Sequence, residues 1–588
     1  MSKLLIIEDV TTQLFKFVKN ENRDTHLLLV TPQALIAFKN SGLKTYVPED
    51  FISSQELSQL GQNNFQRARD FATLIDSYLH GKHISLKDNG FRLAFYQIDR
   101  FKILLDSIVS RVYILEQAIR RINPTQIYYA KNTKEYFDEA LFSNKSIYSA
   151  LLPIVASQLL VPTIAYPIAD PIASGGYNAI LKDSLVILGK LYKKMITVKK
   201  RRKQIHIVET EKKYTVLGIN PAYDLHELLN MAQVLNMCNV WIWSGFKKSP
   251  VYGKLFVTSE RVLCLNKGQT HKVNWSGITP DQMCEDNRGQ SSLFKQLTSL
   301  CADKRISWFP VIESRIKFFL TNIVPEGYAV YHKTRAVLRE IAPDVVFSNG
   351  GIKTVREGMM MKAVRDCGIP FAMVQHGGGG YGLLEVPNVF IRDFEQVPES
   401  YYIMWGQGVK KFFLKYSEKY KVNIIPAGSL LVRNIFKHRA ISKTGKGTRV
   451  IYYICNDFKR NITYYPGGLH YTDTWYFRLH MKILKLFEKY PSNQFVFKVP
   501  PGFKEYSLYK KLVQDFPYIQ IESKPLMSII HKPALYIIDS LSTTIVQAAA
   551  TRVPIIVYVG EHSKEANPEA LCSLKKTCCL LRHGSRFL

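Results

Sequence analysis

Several features that would place the chain in a familiar class are missing from its 588 residues. The nine cysteines contain no C-x-x-C pair, so the sequence indicates neither a disulfide framework nor a zinc site. The start, MSKLLIIEDV, has one lysine and then an acidic pair, and it lacks the charged segment and long apolar run of a signal peptide. These absences favour a reducing, cytoplasmic setting.

Acidic residues are scarce relative to basic ones. The chain has 79 Lys and Arg against 48 Asp and Glu, a formal net charge of +31. Such an excess attracts polyanions, which include nucleic acid, anionic membranes and phosphorylated substrates. Zinc-finger spacing, an RNP-like aromatic strand and a heptad-linked basic region are all absent, so nucleic acid is not the expected partner.

An uncharged stretch from Ser146 to Ala169 is long enough to cross a bilayer. Three prolines interrupt it, at positions 153, 162 and 167, and its character changes at Val161. We therefore expect a buried helix that runs into a buried parallel strand, VPTIAY. The pattern of the following segment, 179–204, predicts a basic amphipathic helix. This helix either binds an anionic membrane or packs on the domain with its basic face in solvent.

Short aliphatic runs alternate with helical patterns along both parts of the chain, which predicts an α/β protein with parallel, Rossmann-like sheets. The pattern restarts near Ile424. We expect an N-terminal domain over 1–425 with an irregular insertion at about 175–333, and a C-terminal domain over 426–588. A ligand pocket is expected between the two.

The strongest motif is IIDSLSTTIVQAAATRVPIIVY, residues 537–558. A strand ends at Asp539, and Ser542 is placed to cap the helix that follows. The N–H groups of the first turn, with the hydroxyls of Ser542, Thr543 and Thr544, can bind a pyrophosphate. The alternative is that these hydroxyls only cap the helix.

A second motif is IPFAMVQHGGGGYG, residues 369–382. His376 stands at the end of a strand, and its imidazole is suited to proton transfer near neutral pH. Four glycines follow, and they let the backbone approach a ligand closely. A lone histidine is more often structural, but a glycine run at a strand end is typical of functional sites.

A strand ending in QHGG-YG, together with a later D-S-x-S-T-T turn before P-I-I, resembles GT-B transferases of bacterial surface-carbohydrate gene clusters. The likeness covers about 340–560 and is greatest to transferases of lipopolysaccharide and capsule assembly. It is more distant to glycerophosphotransferases of teichoic acid synthesis. The resemblance implies two Rossmann-like domains across a cleft and a glycosyltransferase of the metal-independent type. No cofactor is expected, because the nucleotide-sugar is a substrate.

The resemblance also implies that the two domains bind different substrates. The N-terminal domain would bind the acceptor glycan, either free or lipid-linked, and the C-terminal domain would bind the nucleotide-sugar donor. His376 is expected to be the catalytic residue, either as a base on the acceptor hydroxyl or as a donor to the sugar or phosphate. The residues expected at the donor and its phosphates are Lys498, Asp539, Ser540, Ser542, Thr543, Thr544 and Gln547. The residues expected near the cleft are Gln375, Gly377, Gly378, Tyr381 and Gly428.

Gln547 stands where many related helices have a glutamate for the ribose, and its amide oxygen can also accept hydrogen bonds. The strand end KVPPG retains Lys498 without the histidine found in related proteins, and the donor domain is expected to be shortened after PIIVYVG. Two other functions stay open, a GT-B sugar-nucleotide epimerase and a catalytically impaired scaffold of a polysaccharide assembly complex. The expected location is the cytoplasm, with peripheral attachment to the inner membrane face as a further hypothesis.

Overall fold

The computed structural model describes an α/β protein built on parallel sheets. It describes residues 2–8, 10–21, 23–130, 147–166, 214–219, 224–225, 228–229, 238–244, 262–264, 287–303, 306–350, 352, 354–377, 382–383, 394–438, 450–455, 471–500, 506–560 and 566–582. Within these ranges the strands form three parallel sheets and one short antiparallel pair, β9 (Ala302–Asp303) and β10 (Ile306–Ser307).

The first sheet has the strand order β3-β2-β1-β4-β5, the arrangement of a Rossmann sheet. Its strands are β1 (Lys3–Ile7), β2 (Thr25–Leu29), β3 (Lys44–Tyr46), β4 (Gln126–Ala130) and β5 (Thr163–Tyr166). The helices of this region are α1 (Thr12–Lys19), α2 (Pro32–Phe38), α3 (Ser54–Lys82), α4 (Ile84–Asp88), α5 (Ile98–Ile122) and α6 (Ile147–Gln158).

The second sheet has seven strands in the order β14-β13-β12-β11-β6-β7-β8. They are β6 (Tyr214–Ile219), β7 (Cys238–Ser244), β8 (Val262–Cys264), β11 (Val345–Asn349), β12 (Phe371–Val374), β13 (Tyr401–Met404) and β14 (Asn423–Pro426). The helices here are α7 (Asn287–Leu300), α8 (Phe309–Phe318), α9 (Val324–Ile341), α10 (Val355–Asp366), α11 (Gln407–Lys419) and α12 (Leu430–His438).

The third sheet has six strands in the order β17-β16-β15-β18-β19-β20, which is the complete 3-2-1-4-5-6 order of a Rossmann fold. They are β15 (Val450–Ile454), β16 (Gln494–Lys498), β17 (Ile519–Glu522), β18 (Leu535–Ile538), β19 (Ile555–Gly560) and β20 (Cys579–Arg582). The helices are α13 (Asp473–Phe487), α14 (Tyr506–Val513), α15 (Thr543–Thr551) and α16 (Pro568–Lys575).

Local sequence explains where many helices begin. The Thr31 hydroxyl accepts from the Ala34 N–H at the start of α2, and Pro32 follows at a position where its missing N–H costs nothing. At the start of α3, Ser53 and Glu56 form a reciprocal capping box. Because the chain passes from the end of a strand into the next helix, helix N-termini such as that of α2 lie near the carboxyl ends of strands, the edge where α/β proteins bind ligands.

The first two sheets share one hydrophobic core, to which both Leu4 of β1 and Val346 of β11 belong. Helix α5 lies within this core, with Phe101 against Phe319 at a ring-centroid distance of 5.4 Å. The third sheet has separate clusters on its two faces, one around Tyr453 and one around Tyr536. These clusters are separate from the core of the first two sheets, although Leu35 and Ile36 of α2 pack against the one around Tyr453.

These observations confirm the predicted α/β fold with parallel Rossmann-like sheets. Where the structure describes the segment 175–333, expected as an irregular insertion of the N-terminal domain, it supplies β6, β7 and β8 of the second sheet. The range 1–425 thus contains two sheets.

The uncharged stretch contains α6, twelve residues with Pro153 inside, and then β5, which pairs in parallel with β4. The expected helix and parallel strand are present, but β5 is a partly exposed edge strand and not a buried one. Among the residues that the structure describes, no helix is long and apolar enough to cross a membrane. The basic segment 179–204 lies outside the described residues.

Candidate functional site

A cleft of about 160 Å³ opens where the carboxyl ends of the second and third sheets meet. It is smaller than the roughly 300–1,000 Å³ pockets that enclose whole drug-sized ligands. The second-sheet side contributes residues that follow β12, β13 and β14, and the opposite side is the first turn and a half of α15. The lining residues are His376, Gly377, Trp405, Leu431, Thr543, Thr544 and Gln547.

Gly377 brings the two sides of the cleft into direct contact. Its φ is +88°, in the left-handed region that favours glycine, and a Cβ there would overlap the Thr543 hydroxyl oxygen. The loop after β12 therefore approaches the N-terminus of α15 as closely as backbone and side chain allow. The two motifs of the sequence analysis form one site.

His376 is held by a neighbouring strand end. Its Nδ1 lies 2.8 Å from Nδ2 of Asn349, the last residue of β11, which pairs in parallel with β12. Asn349 is not among the residues predicted from the sequence. Its position at the end of the strand DVVFSN was visible, but the pairing of that strand with the histidine strand was not.

Gln375 braces the loops of the cleft. Its side chain is fully buried; Nε2 donates to the Gly377 carbonyl at 2.7 Å, and Oε1 accepts from the Trp405 N–H at 2.9 Å. Both ends of the amide thus bind backbone. Gln375 positions His376, Gly377 and Trp405, and it is not among the residues that line the cleft.

Trp405 and Asp224 form a second support that the sequence did not reveal. The Trp405 indole Nε1 donates to Asp224 Oδ2 at 2.6 Å, while the Ser429 hydroxyl and the Leu431 N–H donate to the same buried carboxylate. Asp224 thereby ties a wall of the cleft to the start of α12. These partners are separated by 181 and more residues in the chain, which is why no local pattern indicates them.

The start of α15 has hydroxyl groups that the helix does not use for capping. Ser542 has the extended backbone of an N-cap, yet its side chain makes no capping hydrogen bond, and the Ser540 hydroxyl donates to it at 3.3 Å. Thr543 and Thr544 line the cleft, and Gln547 lines it one turn further on. The simple-capping alternative does not apply to Ser542, and a nine-residue helix directs its N-terminus at the cleft.

Asp539 lies inside the protein, with 1% of its surface exposed. Its Oδ2 accepts from the Tyr453 hydroxyl at 2.7 Å and lies 3.2 Å from His480 Nε2. Burial raises the pKa of Tyr453, so the phenol keeps its proton and remains a donor. The structure places Asp539 as an anchor of the turn that carries Ser540 and Ser542.

Lys498 ends β16 but is not among the lining residues, and its Nζ donates to the Val499 carbonyl. Burial lowers the pKa of this lysine. Gly428 adopts a φ of +82° in the loop after β14 and also lies outside the lining. Gly378 and Tyr381 lie outside the described residues.

A profile of the LIC12162 family transferase matches residues 231–576, more than half of the chain. The chain belongs to this family. In this LIC12162 family transferase every residue that lines the cleft falls inside the matched region, whereas the first sheet and Asp224 precede it. The expected transferase class is confirmed at this level.

Among solved structures, the chain is similar to UDP-GlcNAc 2-epimerase from Neisseria meningitidis bound to UDP-GlcNAc, with 13% identity, 63% and 87% of the two chains covered, and a TM-score of 0.39. A glycosyltransferase from Rickettsia africae ESF-5 shows 11% identity, 64% and 86% coverage and a TM-score of 0.37. The glycosyltransferase SnogD from Streptomyces nogalater shows 12% identity, 64% and 88% coverage of the two chains, and a TM-score of 0.30. No curated protein matches the chain.

Proposed function

We propose that this transferase moves a sugar from a nucleotide-activated donor to an acceptor glycan. The observation that carries the proposal is the contact of Gly377 with Thr543, which brings the His376 loop to the N-terminus of α15. Two Rossmann-like sheets then present their carboxyl ends to one cleft. A donor bound to one side meets an acceptor bound to the other.

The donor's diphosphate lies at the start of α15 in this proposal. Backbone N–H groups and the positive end of the helix dipole attract negative charge, and the hydroxyls of Thr543 and Thr544 supply further donors. Gln547 follows one turn later, where its amide oxygen accepts from a ribose hydroxyl. Lys498 adds positive charge at the same edge of the third sheet without lining the cleft.

In the transfer step the acceptor hydroxyl oxygen bonds to the anomeric carbon, while the bond from that carbon to the phosphate oxygen breaks. The nucleoside diphosphate leaves with the bonding electrons, and the hydroxyl proton passes to a base. Donors already oriented at the α15 terminus stabilise the charge on the leaving group. His376 contacts the reacting groups as a base or as a hydrogen-bond donor.

The acceptor in this proposal is a growing, lipid-linked glycan of the bacterial surface, bound on the second-sheet side. Transfer then takes place at the inner face of the cell membrane. The basic segment 179–204 is the part of the chain whose charge suits an anionic membrane, at about 1 kcal/mol for each basic residue near the surface.

A panel of nucleotides and nucleotide-sugars, screened by thermal unfolding, tests the donor site. A ligand present at 100 times its Kd stabilises the folded state by about 2.7 kcal/mol. Nucleoside diphosphates should raise the melting temperature more than the matching nucleosides, because the phosphates occupy the helix terminus. Equal shifts for the two would contradict the phosphate site.

Turnover of the stabilising nucleotide-sugar then tests transfer itself. We expect His376→Ala to lower transfer about 10²-fold or more, since acid–base and hydrogen-bonding groups contribute on this scale. His332→Ala, in α9 on the same sheet, is the control. Unchanged transfer by His376→Ala would remove His376 from the reaction, and conversion of the donor without any acceptor would identify an epimerase.

A further inference from the structure

We infer that Asn349 fixes His376 in the tautomer that carries its proton on Nε2, so that the histidine acts in the cleft as a hydrogen-bond donor. For its catalytic meaning this inference rests on the proposed glycosyl transfer. It chooses between the two roles that the sequence leaves open for His376. Asn349 is a positioning residue, which acts through the histidine.

The contact joins an amide nitrogen to a ring nitrogen. Asn349 Nδ2 lies 2.8 Å from His376 Nδ1, within normal hydrogen-bond distance. An amide NH₂ group only donates, so Nδ1 must accept with its lone pair. A neutral imidazole has one proton, and with Nδ1 accepting, that proton is on Nε2.

Both partners are held by regular structure. Asn349 ends β11, an interior strand between β6 and β12, and the following Gly350 N–H donates to the Val374 carbonyl at 2.9 Å. On the other side, His376 lies between Gln375 and Gly377, which are linked by the Gln375 hydrogen bond to the Gly377 carbonyl. The relative position of the two side chains is therefore set by the sheet.

The Asn349 amide has one unsatisfied end. Its Oδ1 is buried and has no hydrogen-bond partner among the described residues. Buried polar atoms without partners are rare in folded proteins, and each calls for a physical reason. The contact with His376 Nδ1 satisfies the other end of the amide, Nδ2.

The tautomer decides what a substrate meets. Any oxygen that approaches Nε2 meets an N–H, which donates to a phosphate or sugar oxygen and takes no proton from an acceptor hydroxyl. The hydroxyl proton then passes to a phosphate oxygen of the leaving nucleoside diphosphate. As the bond to the diphosphate breaks, negative charge grows on the phosphate oxygens, and an oriented donor stabilises that charge. His376 and the α15 terminus then act on the same leaving group from opposite sides of the cleft.

The tautomer can be measured without substrate, by ¹⁵N NMR of the full chain labelled at its 14 histidines. The His376→Gln variant identifies the His376 signals by their loss. At about pH 9, well above the roughly 6.5 at which an unperturbed histidine titrates, we expect a pyridine-type Nδ1 and a pyrrole-type Nε2. A pyrrole-type Nδ1 in the wild-type chain would overturn the inference, because the Asn349 oxygen would then face the ring.

Asn349→Asp reverses the contact, because a carboxylate only accepts and requires a proton on Nδ1. We expect Nδ1 of His376 to become pyrrole-type and transfer to fall about tenfold or more. Asn423→Asp is the matched control, with the same change at the opposite end of the same sheet, and it should alter neither readout. An Asn349→Asp spectrum identical to that of the wild type would contradict the inference.

The spectrum and the assay separate the two proposals. If Nε2 is pyrrole-type but the protein transfers no sugar from any nucleotide-sugar, the inference about Asn349 is supported and the proposed glycosyl transfer is contradicted. If Nδ1 is pyrrole-type and the protein does transfer sugar, the proposed function is supported and the inference about Asn349 is contradicted. The wild-type spectrum decides the tautomer even if an Asn349 variant does not fold.

Discussion

Gly377 is the residue at which the two halves of the cleft touch. Gly377→Ala adds a Cβ that would overlap the Thr543 hydroxyl oxygen, and it strains a backbone with a φ of +88°. We expect the loop to move away from α15, which should weaken nucleotide binding about tenfold, or about 1.4 kcal/mol. Calorimetric titration with a nucleoside diphosphate measures the change.

Gly368→Ala is the control for backbone strain. Gly368 has a φ of +69°, but a Cβ there meets no atom within 4 Å, and the residue lies at the opposite end of β12. Both variants should lose about 1–2 kcal/mol of folding stability from the left-handed backbone. Only Gly377→Ala should lose affinity, and an equal loss in both variants would show that stability, not the contact, explains the effect.

Single residues differ in how far the sequence could reveal them. His376 and Thr543 were predictable because a glycine run and a hydroxyl-rich turn each follow a strand within a few residues. Asn349 and Asp224 were not, because their roles depend on partners 27 and 181 residues away in the chain. Asp539 was predicted at the phosphates, but its local pattern could not show that Tyr453 and His480 surround it.

Helix α15 gives a prediction in which stability and binding change in opposite directions. Thr544→Asp places a carboxylate in the first turn, where the helix dipole stabilises it by about 0.3–1 kcal/mol. The same charge repels a diphosphate at that terminus. We expect the melting temperature without ligand to stay equal or rise, and the affinity for a nucleoside diphosphate to fall about tenfold or more.

Thr544→Asn tests whether charge causes that loss, because asparagine has nearly the shape of aspartate without its charge. We expect Thr544→Asn to retain most of the affinity of the wild type in the same titration. If both variants lost affinity equally, the hydroxyl or the shape of Thr544, and not the electrostatics of the terminus, would be responsible. Full affinity in Thr544→Asp would place the phosphates elsewhere.

The elements of the fold followed from short-range patterns. The aliphatic runs that alternate with helical segments form parallel strands, from β1 at Lys3–Ile7 to β19 at Ile555–Gly560. Which strands share a sheet depends on contacts between distant segments. The pattern therefore could not show that β6, β7 and β8 belong to the same sheet as β11, β12, β13 and β14. The exposure of β5 follows from its place at a sheet edge, which only the assembled sheet reveals.

At the scale of the whole molecule, the first sheet lies outside the pair of sheets that form the cleft. It precedes the matched family region, and it contacts both other sheets. Arg69 of α3 pairs with Glu395 beside the second sheet at 2.6 Å. Glu49, which follows β3, accepts from the Thr474 hydroxyl of α13 at 2.6 Å and so links the first sheet to the third.

The Glu49 contact makes the stability of this assembly depend on pH. Burial raises the pKa of Glu49 from 4.5 to about 7, against the opposing effects of the Thr474 hydrogen bond and the charge of Arg478. Between these two pH values the unfolded chain has lost the proton that the folded chain keeps. The unfolded chain then binds fewer protons, so this group's contribution to stability decreases as the pH rises from 4.5 to about 7.

Glu49→Gln removes the ionisation and keeps an oxygen that can accept from Thr474. We expect its melting temperature to exceed that of the wild type at pH 8, with the difference vanishing near pH 4, where Glu49 is largely protonated in both states. Glu418→Gln, on the exposed side of α11, is the control for the loss of one negative charge. A difference between Glu49→Gln and wild type that stayed constant from pH 4 to pH 8 would mean that Glu49 does not titrate at this contact. A difference that grows across this range would show that the contact between the first and third sheets carries a buried carboxyl.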